Sequence, residues 1–263
     1  NDQTNRYIEV LFHLNKKLPR KLTLGLLHGD ISKFEPEPGT EEDWDLPLAC
    51  PACENGILKA EEALSLKCDT CGQVIDFVKV RNRQLAYADP PDILITNPDT
   101  LIWDLMVKPH DHSIFGRPVY ACQSCSRTHI SKGKKRKCEN EQCRSTDIKL
   151  IEPCLPRFIV FDEVHMFKGT FGINCSHFIS RLESVISRYA KEYHELPSWK
   201  IVRIGSTATI SNPKEFSKDF FKAAPTDILL VPKDDDERKS FYILANWDTT
   251  VKRHHVFIMP YAY

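Results

Sequence analysis

The 263-residue sequence predicts an α/β protein in which a parallel sheet, covered on both faces, is interrupted by two small cysteine-rich insertions. Apolar strand segments alternate along the chain with segments of helical periodicity. The strand segments are continuous apolar runs without a period of two, which is typical of strands buried on both faces of a parallel sheet. Eight of the ten cysteines fall into two groups of four, and each group lies in a stretch that breaks this alternation.

The composition narrows the class of protein. A hydrophobic fraction of 41% and a charged fraction of 27% are ordinary for a globular chain and exclude wholesale disorder. Because 36 Lys and Arg balance 36 Asp and Glu, a polyanion would have to be held by a local basic patch. No apolar run reaches the roughly 18 residues that cross a membrane, so we expect no membrane partner. The first residue is not Met, and we expect a fragment of a longer protein.

Periodicity and local start and stop signals place the helices and strands along the chain. Apolar runs predict strands, and apolar residues at helical spacing predict helices. In order they are a helix over 1–18, a strand at Leu22–Leu27, a polar connector at Phe34–Asp45, a strand at Asp92–Thr96, a helix at Asp99–Val107, a strand at Arg157–Phe161, a helix at Gly172–Tyr193 and a strand at Lys200–Ile204. A last helix begins with Asn212 as N-cap, Pro213 at the first position and Glu215 completing a capping box.

These elements divide the chain into one interrupted domain and its insertions. We expect the α/β domain in three parts, over residues 1–45, 81–115 and 154–232. The insertions that hold the cysteine groups occupy 46–80 and 116–153. Residues 233–263, with apolar runs at Phe241–Leu244 and His255–Met259, are interpreted as a linker or the start of a further domain.

Two adjacent carboxylates, Asp162 and Glu163, follow directly on the most apolar strand and are followed by Val164 and His165. The carboxyl ends of strands in open α/β sheets line the crevice where ligands bind. In nucleotide hydrolysis such a pair divides the work, because one acid holds Mg²⁺ on the phosphates and the other orients and deprotonates water. An ordinary solvated acidic pair at a strand end is the alternative.

A cluster of small hydroxyl residues, 205–210 (GSTATI), follows the next predicted strand in the same way. Together, the segments DEVH and STATI resemble motifs II and III of superfamily 2 DEAD/DEAH-box helicases. Residues 92–101 (DILITNPDTL) resemble motif Ib, and the opening Asn1-Asp2-Gln3 resembles the end of motif Ia. The sequences of these segments, with cysteine-rich insertions between them, are most similar to those of mitomycin-repair (YprA-like) helicases and related phage-defence helicases.

The resemblance implies a first RecA-like motor domain that couples ATP hydrolysis to unwinding of, or translocation on, nucleic acid, with DNA favoured over RNA. It implies that Asp162 holds Mg²⁺, that Glu163 activates water, and that His165, Thr207 and Thr209 couple nucleotide to nucleic acid. It also implies that Thr96 and Asn97 contact the strand backbone. Other subunits of a repair or defence system are expected partners, and the cytoplasm is the expected compartment.

The sequence departs from the family in two respects that matter for activity. No Gly-x-x-x-x-Gly-Lys-Ser/Thr segment occurs in it, so the loop that would cradle the phosphates of ATP is missing. The second RecA-like domain is missing as well. We therefore expect these 263 residues alone not to hydrolyse ATP.

The cysteine spacing predicts two metal sites. Cys50, Cys53, Cys68 and Cys71 have the spacing C-x2-C-x14-C-x2-C, close to that of a zinc ribbon, and Cys122, Cys125, Cys138 and Cys143 have the spacing C-x2-C-x12-C-x4-C. Each C-x2-C unit presents two thiolates to one face, and a hairpin brings two units together around Zn²⁺. Disulfides, free thiols and iron–sulfur ligation are the alternatives. Four thiolates would close the coordination sphere, so both sites are interpreted as structural.

Five basic residues lie within a stretch of six between the second and third cysteines of the second group: Lys132, Lys134, Lys135, Arg136 and Lys137. In a chain without net charge this run is a candidate contact for a phosphate backbone, and a solvated loop is the alternative. His110 and His112 could bind metal, but we expect them to be exposed loop histidines without function, and we expect Cys154 and Cys175 to be ordinary thiols. The alternative to the helicase as a whole is a non-enzymatic zinc-ribbon adaptor that binds nucleic acid or protein on a degenerate RecA-like scaffold.

Overall fold

The computed structural model describes residues 2–27, 48–62, 65–79, 83–130, 137–151, 153–207, 210–231 and 254–259. Its α-helices are α1 (Asp2–Leu14), α2 (Arg83–Ala88), α3 (Pro98–Val107), α4 (Gly169–His194) and α5 (Pro213–Phe221). Single 3₁₀ segments lie at Pro109–Phe115, Val164–Met166 and Pro225–Asp227. No helix in the described part of the chain is long and apolar enough to cross a membrane.

Thirteen short strands form three sheets among the described residues. In chain order they are β1 (Leu24–Leu27), β2 (Leu48–Ala49), β3 (Ile57–Glu62), β4 (Ser65–Cys68), β5 (Val74–Ile75), β6 (Val78–Lys79), β7 (Ile93–Thr96), β8 (Val119–Cys122), β9 (Thr128–Ile130), β10 (Ile148–Ile151), β11 (Leu155–Phe161), β12 (Val202–Gly205) and β13 (His254–Met259). The main sheet has six strands in the order β12-β11-β13-β7-β1-β6, and every pairing in it is parallel. The predicted parallel α/β sheet is confirmed.

Strand β13 lies in the middle of this sheet, where it pairs with β11 on one side and with β7 on the other. The interpretation of 233–263 as a linker or the start of a further domain is therefore wrong for residues 254–259. The physical reason is that the facing edges of β11 and β7 need partners for their backbone N–H and C=O groups, and an apolar extended segment supplies them. The other predicted strand of this tail, Phe241–Leu244, lies outside the described residues.

The two faces of the sheet are covered differently. On one face, the long helix α4 packs with α3 and α5 over a large core that includes Leu94, Ile159 and Leu182. On the other face, Ile8 of α1 shares a core with Leu58 of the first cysteine insertion. Helices were expected on both faces, but on the second face the insertion takes part of the place of a helix. The first insertion is thus part of the core on the second face of the main sheet.

The insertions form the two small antiparallel sheets. The first has the order β2-β3-β4-β5 and the second β10-β8-β9. Strand β6, which was expected to belong to the first insertion, pairs with β1 instead and so belongs to the main sheet. The second insertion has a small core of its own, formed by Val119, Ala121 and Ile151. The connector at Phe34–Asp45 lies outside the described residues.

Two asparagines cap helices: Asn212 was predicted to cap α5, whereas the capping role of Asn97 at α3 was not predicted. Asn97 precedes α3 and its side-chain oxygen accepts from Thr100 N at 2.8 Å, with Pro98 in the first turn. Asn212 likewise accepts from Glu215 N at 3.4 Å, and its amide donates to the Glu215 carboxylate at 2.6 Å. These contacts satisfy N–H groups that have no partner inside the helix, so they fix where each helix begins.

An ion pair between the half-exposed Arg20 and the buried Asp92 ties the segment before β1 to the start of β7. The Asp92 side chain is 2% exposed and accepts two bonds from the Arg20 guanidinium, at 3.0 and 2.9 Å. It also accepts from the backbone N–H of Thr23 at 2.9 Å and from the Thr23 hydroxyl at 3.0 Å. Burial by itself raises the pKa of Asp92, but the bonds from Arg20 and Thr23 outweigh it and hold the pKa below its usual value.

Candidate functional site

The predicted acidic pair lies at the carboxyl edge of the main sheet. Strand β11 ends at Phe161, which is paired with Gly205, the last residue of the parallel strand β12. The residues that follow the two strands therefore emerge side by side. Ser206 N donates to Phe161 O, and Val164 N donates to Ser206 O, both at 2.9 Å. These backbone bonds join the segments DEVH and STATI, which are about 40 residues apart in the sequence.

Both carboxylate oxygens of Asp162 have partners. The Ser206 hydroxyl donates to Oδ1, and the side-chain amide of Gln3 donates to Oδ2. One turn further along α1, the pKa of Tyr7 is raised by burial and by the negative charge of Asp162. Helix α1 thus supplies one direct partner of this carboxylate, the Gln3 amide. Gln3 and Ser206 were not predicted as site residues, although both lie within segments that the sequence analysis singled out.

Glu163 and His165 form a second set of contacts next to Asp162. The His165 Nδ1 atom lies 3.1 Å from Glu163 Oε2 and 2.9 Å from the hydroxyl of Thr207. The backbone of Glu163 has φ 48°, in the left-handed region that a residue with a Cβ adopts at a cost of about 1–2 kcal/mol. Strained backbone of this kind is concentrated at functional sites. The structure therefore brings together four predicted residues, Asp162, Glu163, His165 and Thr207.

The arrangement has the oxygen ligands that Mg²⁺ prefers. The Asp162 carboxylate is one, and the Gln3 amide oxygen, which is buried without a hydrogen-bond partner among the described residues, is a second oxygen beside it. The sequence contains no glycine-rich phosphate loop, so it lacks the N–H donors with which such a loop holds the phosphates of a nucleotide. These two oxygens are of the kind that could take part in binding a Mg²⁺ ion.

The structure describes three of the residues that were predicted to contact nucleic acid, and only Lys137 among them is exposed. Thr96 is 2% exposed, so its hydroxyl is not available at the surface, and the Asn97 side chain is engaged as the cap of α3. Lys137 is exposed beside Cys138. Four predicted basic residues of the same run, and the predicted coupling residue of the third motif, lie outside the described residues: Lys132, Lys134, Lys135, Arg136 and Thr209.

The four cysteines of the first group converge on one point. Cys50 and Cys71 Sγ are 3.7 Å apart, Cys53 and Cys68 Sγ are 3.6 Å apart, and all four sulfurs lie within 4.8 Å of one another. A disulfide requires about 2.05 Å. A tetrahedral thiolate site with metal–sulfur bonds of about 2.3 Å has sulfurs about 3.8 Å apart. The first group can therefore hold a metal ion.

The second group has the same geometry. Cys122 and Cys143 Sγ are 3.7 Å apart, and Cys125 and Cys138 Sγ are 3.6 Å apart, again with all four sulfurs within 4.8 Å. The longer C-x4-C interval does not distort the cluster, because Arg144 adopts φ 47° and its N–H donates to Asn140 O at 2.9 Å in a tight turn. The predicted ligand set is thus complete at both sites.

Backbone amides favour the thiolate form that a metal requires. The N–H of Cys71, followed by that of Thr70, donates to the sulfur of Cys68 and lowers its pKa to about 6. Desolvation instead raises the pKa of Cys53 to about 12. Since four thiolates at these distances repel one another, a divalent cation is needed to keep all four ionised.

Two residues at the cysteine groups escaped the sequence analysis. A Cβ at Gly56 would lie 2.2 Å from the Cys68 sulfur and 2.6 Å from the Cys53 sulfur, so only glycine fits there. The imidazole of His129 is buried with Nε2 3.4 Å from the Cys138 sulfur. A glycine three residues after a C-x2-C unit was visible in the sequence as a signal, whereas nothing distinguished His129 from the other histidines.

His112 and Cys175 lie in the main core. His112, expected to be an exposed loop histidine, is 6% exposed, because the 3₁₀ segment that carries it packs against α4 and its Nδ1 contacts the Tyr189 hydroxyl at 2.8 Å. Burial lowers the pKa of His112 to about 4, so it is neutral near pH 7. Burial raises the pKa of the Cys175 thiol to about 12, consistent with the ordinary thiol that was expected. The side chain of His110 lies outside the described part of the chain.

Comparisons of the chain with known protein families, with curated proteins and with solved structures find no match in any of the three. The protein is therefore classified by its fold and its sites. The protein is an α/β chain with a parallel sheet, an acidic pair at the carboxyl edge of that sheet, and two insertions whose four-cysteine groups can each hold a metal ion.

Proposed function

We propose that this chain is part of the first RecA-like motor domain of a superfamily 2 DEAD/DEAH-box helicase, which couples ATP hydrolysis to unwinding of, or translocation on, DNA. The proposal rests on one observation: side chains that follow β11 form hydrogen bonds with side chains that follow β12, at the carboxyl edge of the sheet. The Ser206 hydroxyl donates a hydrogen bond to the Asp162 carboxylate, and the Thr207 hydroxyl lies 2.9 Å from His165 Nδ1. Contacts of this kind are what a nucleotide site needs in order to pass a change at the phosphates to the next strand.

The roles follow from position. Asp162, oriented by Ser206 and Gln3, holds the metal that neutralises the charge of the β- and γ-phosphates. Glu163, at the strained backbone position, takes the proton of the attacking water. His165 contacts both Glu163 and Thr207, so a displacement of the glutamate on hydrolysis is transmitted to the segment that follows β12.

The two four-cysteine groups are proposed to bind Zn²⁺. Thiolate ligands in a tetrahedral arrangement suit Zn²⁺, and four of them leave no open position for catalysis. The metal ions would therefore stabilise the insertions, and the basic run at 132–137, which lies between two cysteines of the second group in the sequence, is proposed to contact phosphates of DNA. We assign the protein to DNA repair or phage defence in the cytoplasm, with other subunits of such a system as partners.

The decisive experiment uses the full-length product of the gene, because the proposal requires a phosphate-binding loop outside these 263 residues. Glu163→Gln keeps the size of the side chain but removes the base, and should lower DNA-stimulated ATP turnover by about 10²-fold or more while ATP binding persists. Asp162→Asn should also weaken Mg²⁺-dependent nucleotide binding. The matched control is Glu192→Gln, on an exposed position of α4, which should leave turnover unchanged.

A specific observation also favours the second candidate, a non-enzymatic adaptor that binds nucleic acid or protein through its metal insertions. The first insertion shares the core on the second face of the sheet with α1, as a scaffold would require, and the sequence has no phosphate loop. If the full-length protein binds DNA but its ATP turnover is absent, or is the same in Glu163→Gln, the adaptor replaces the helicase as the conclusion.

A further inference from the structure

The two cysteine sites share a strand pairing before their first cysteine, and the buried residue on the partner strand has different chemistry in each site. In the first, the residue two positions before the first cysteine, Leu48, pairs with Leu58 of the neighbouring strand. In the second, the residue two positions before the first cysteine, Tyr120, pairs with His129. Leu58 and His129 therefore occupy equivalent positions on the strand that pairs with the segment before each first cysteine.

The two side chains offer different chemistry to the sulfurs. Leu58 is 5% exposed and contributes only apolar contact. His129 is fully buried, with Nε2 3.4 Å from the Cys138 sulfur and Nδ1 3.3 Å from a carboxylate oxygen of Glu139. A metal-bound thiolate has lone pairs but no proton, so in this contact the imidazole N–H donates and the sulfur accepts.

The sites also differ in access from solvent. Cys71 of the first group is exposed, whereas in the second group Cys122 and Cys138 are buried and the other two cysteines are half-buried. A reagent that attacks sulfur therefore reaches the first group directly. Both differences act in the same direction, because a thiolate that accepts a hydrogen bond shares its lone pair and is a weaker nucleophile.

We propose that the two metal sites are chemically unequal: the first is reactive and releases its metal to electrophiles, while the N–H···S bond from His129 protects the second. His129 is thus a positioning residue that sets the reactivity of Cys138. The proposal rests on metal binding by both groups. With N-ethylmaleimide as the electrophile, the sulfur–metal bond breaks, a sulfur–carbon bond forms, the adduct carbanion takes a proton from water, and the metal leaves as a hydrated ion.

The first experiment uses the 263-residue chain loaded with zinc. Elemental analysis should give two zinc ions per chain, and a lower value would be a failure of the zinc assignment rather than of this inference. Limiting N-ethylmaleimide is then added, zinc release is followed with a chromogenic chelator, and modified cysteines are mapped by mass spectrometry. We expect the first zinc to leave with modification of Cys71 and its group, and the second to leave at least about tenfold more slowly.

Two variants at one position test the role of the histidine. His129→Leu, which copies the chemistry of Leu58, should accelerate release of the second zinc by about tenfold and leave the first unchanged. His129→Gln keeps an N–H near the position of Nε2 and should restore slow release. In the cobalt-substituted chain, His129→Leu should shift the sulfur-to-cobalt charge-transfer band of one site to lower energy, which a change in packing alone would not do.

The reciprocal variant and the unsubstituted chain keep the proposal falsifiable if His129→Leu does not fold. Leu58→His should slow release from the first site. Release of both zinc ions at one rate from the unsubstituted chain, or modification of Cys122, Cys125, Cys138 and Cys143 before the first group, would overturn the proposal. An unchanged second rate in a folded His129→Leu chain would overturn the role of the hydrogen bond.

Discussion

Gly56 offers the sharpest test of the first metal site. Its φ is not in the left-handed region, so the backbone would accept an alanine, and only space excludes one. A Cβ there would lie 2.2 Å from the Cys68 sulfur, 2.6 Å from the Cys53 sulfur and 3.1 Å from Cys50 Cβ. Non-bonded heavy atoms rest at about 3.5–4.0 Å. The Cys68 sulfur would therefore have to move by more than about 1 Å, and the four thiolates could no longer surround one ion.

Gly56→Ala should consequently carry one zinc ion per chain in place of two. The first insertion is then deprived of the binding free energy of a structural zinc, which is about 10–16 kcal/mol in small domains. Because Leu58 and Leu66 of that insertion are part of the core shared with α1, thermal unfolding of the main domain should also move to lower temperature. Metal content is measured by elemental analysis, and unfolding by circular dichroism.

Gly72 provides the matched control within the same insertion. It has φ +72°, and no heavy atom lies within 4 Å of the point that a Cβ would occupy, so Gly72→Ala introduces backbone strain without a clash. That strain is about 1–2 kcal/mol. Gly72→Ala should therefore retain two zinc ions and lose little stability. Two zinc ions bound with unchanged affinity by Gly56→Ala would refute the geometry of the site.

Three other predictions concern the core, the basic run and the coupling of the two motifs. Asp92→Asn should lower the free energy of unfolding at pH 7 by about 2–4 kcal/mol, against at most about 0.5 kcal/mol for Asp76→Asn in an exposed ion pair, as measured by urea denaturation. The pKa of Asp92 is depressed in the folded chain, so the stability that its carboxylate contributes is present above the unfolded pKa of about 4 and is lost as pH falls through the folded pKa. The loss of stability caused by Asp92→Asn should therefore become smaller as pH falls through that range. Replacing the basic residues of 132–137 by Ala should reduce the slope of log affinity for DNA against log salt by about one unit for each phosphate interaction removed, and an unchanged slope would assign the run to a solvated loop. Thr207→Val removes the hydroxyl that contacts His165, and in the full-length protein it should lower strand unwinding more than ATP turnover; equal reductions would contradict a coupling role.

Much of the fold was predictable because it depends on local signals. Apolar runs without alternation marked β1, β7, β11 and β12, and the Asn-Pro pairs at 97–98 and 212–213 marked the starts of α3 and α5. The cysteine intervals predicted both four-cysteine groups, since a C-x2-C unit fixes two sulfurs on one face regardless of the rest of the fold. The acidic pair was also predictable from its place after the most apolar strand.

The errors have a common physical origin. Residues 254–259 were assigned outside the domain because their sequence distance from β7 and β11 hides the strand position between them. His112 was expected in solvent because the loop around it is polar, yet its 3₁₀ segment packs on α4. In both cases the deciding contacts join residues far apart in the chain, and no local pattern encodes them.

By itself, then, the sequence determined the parallel α/β class, the cap of the last helix, the two four-cysteine groups and the acidic pair, because each depends on local sequence patterns. The tertiary structure alone decided which groups surround them. It placed Gln3 on Asp162 across 159 positions of sequence, packed the first insertion against the sheet, and put a histidine beneath one cysteine group and a leucine beneath the other. Such contacts form only when the sheet and its insertions are assembled, since they depend on packing between elements rather than on the conformation of any one.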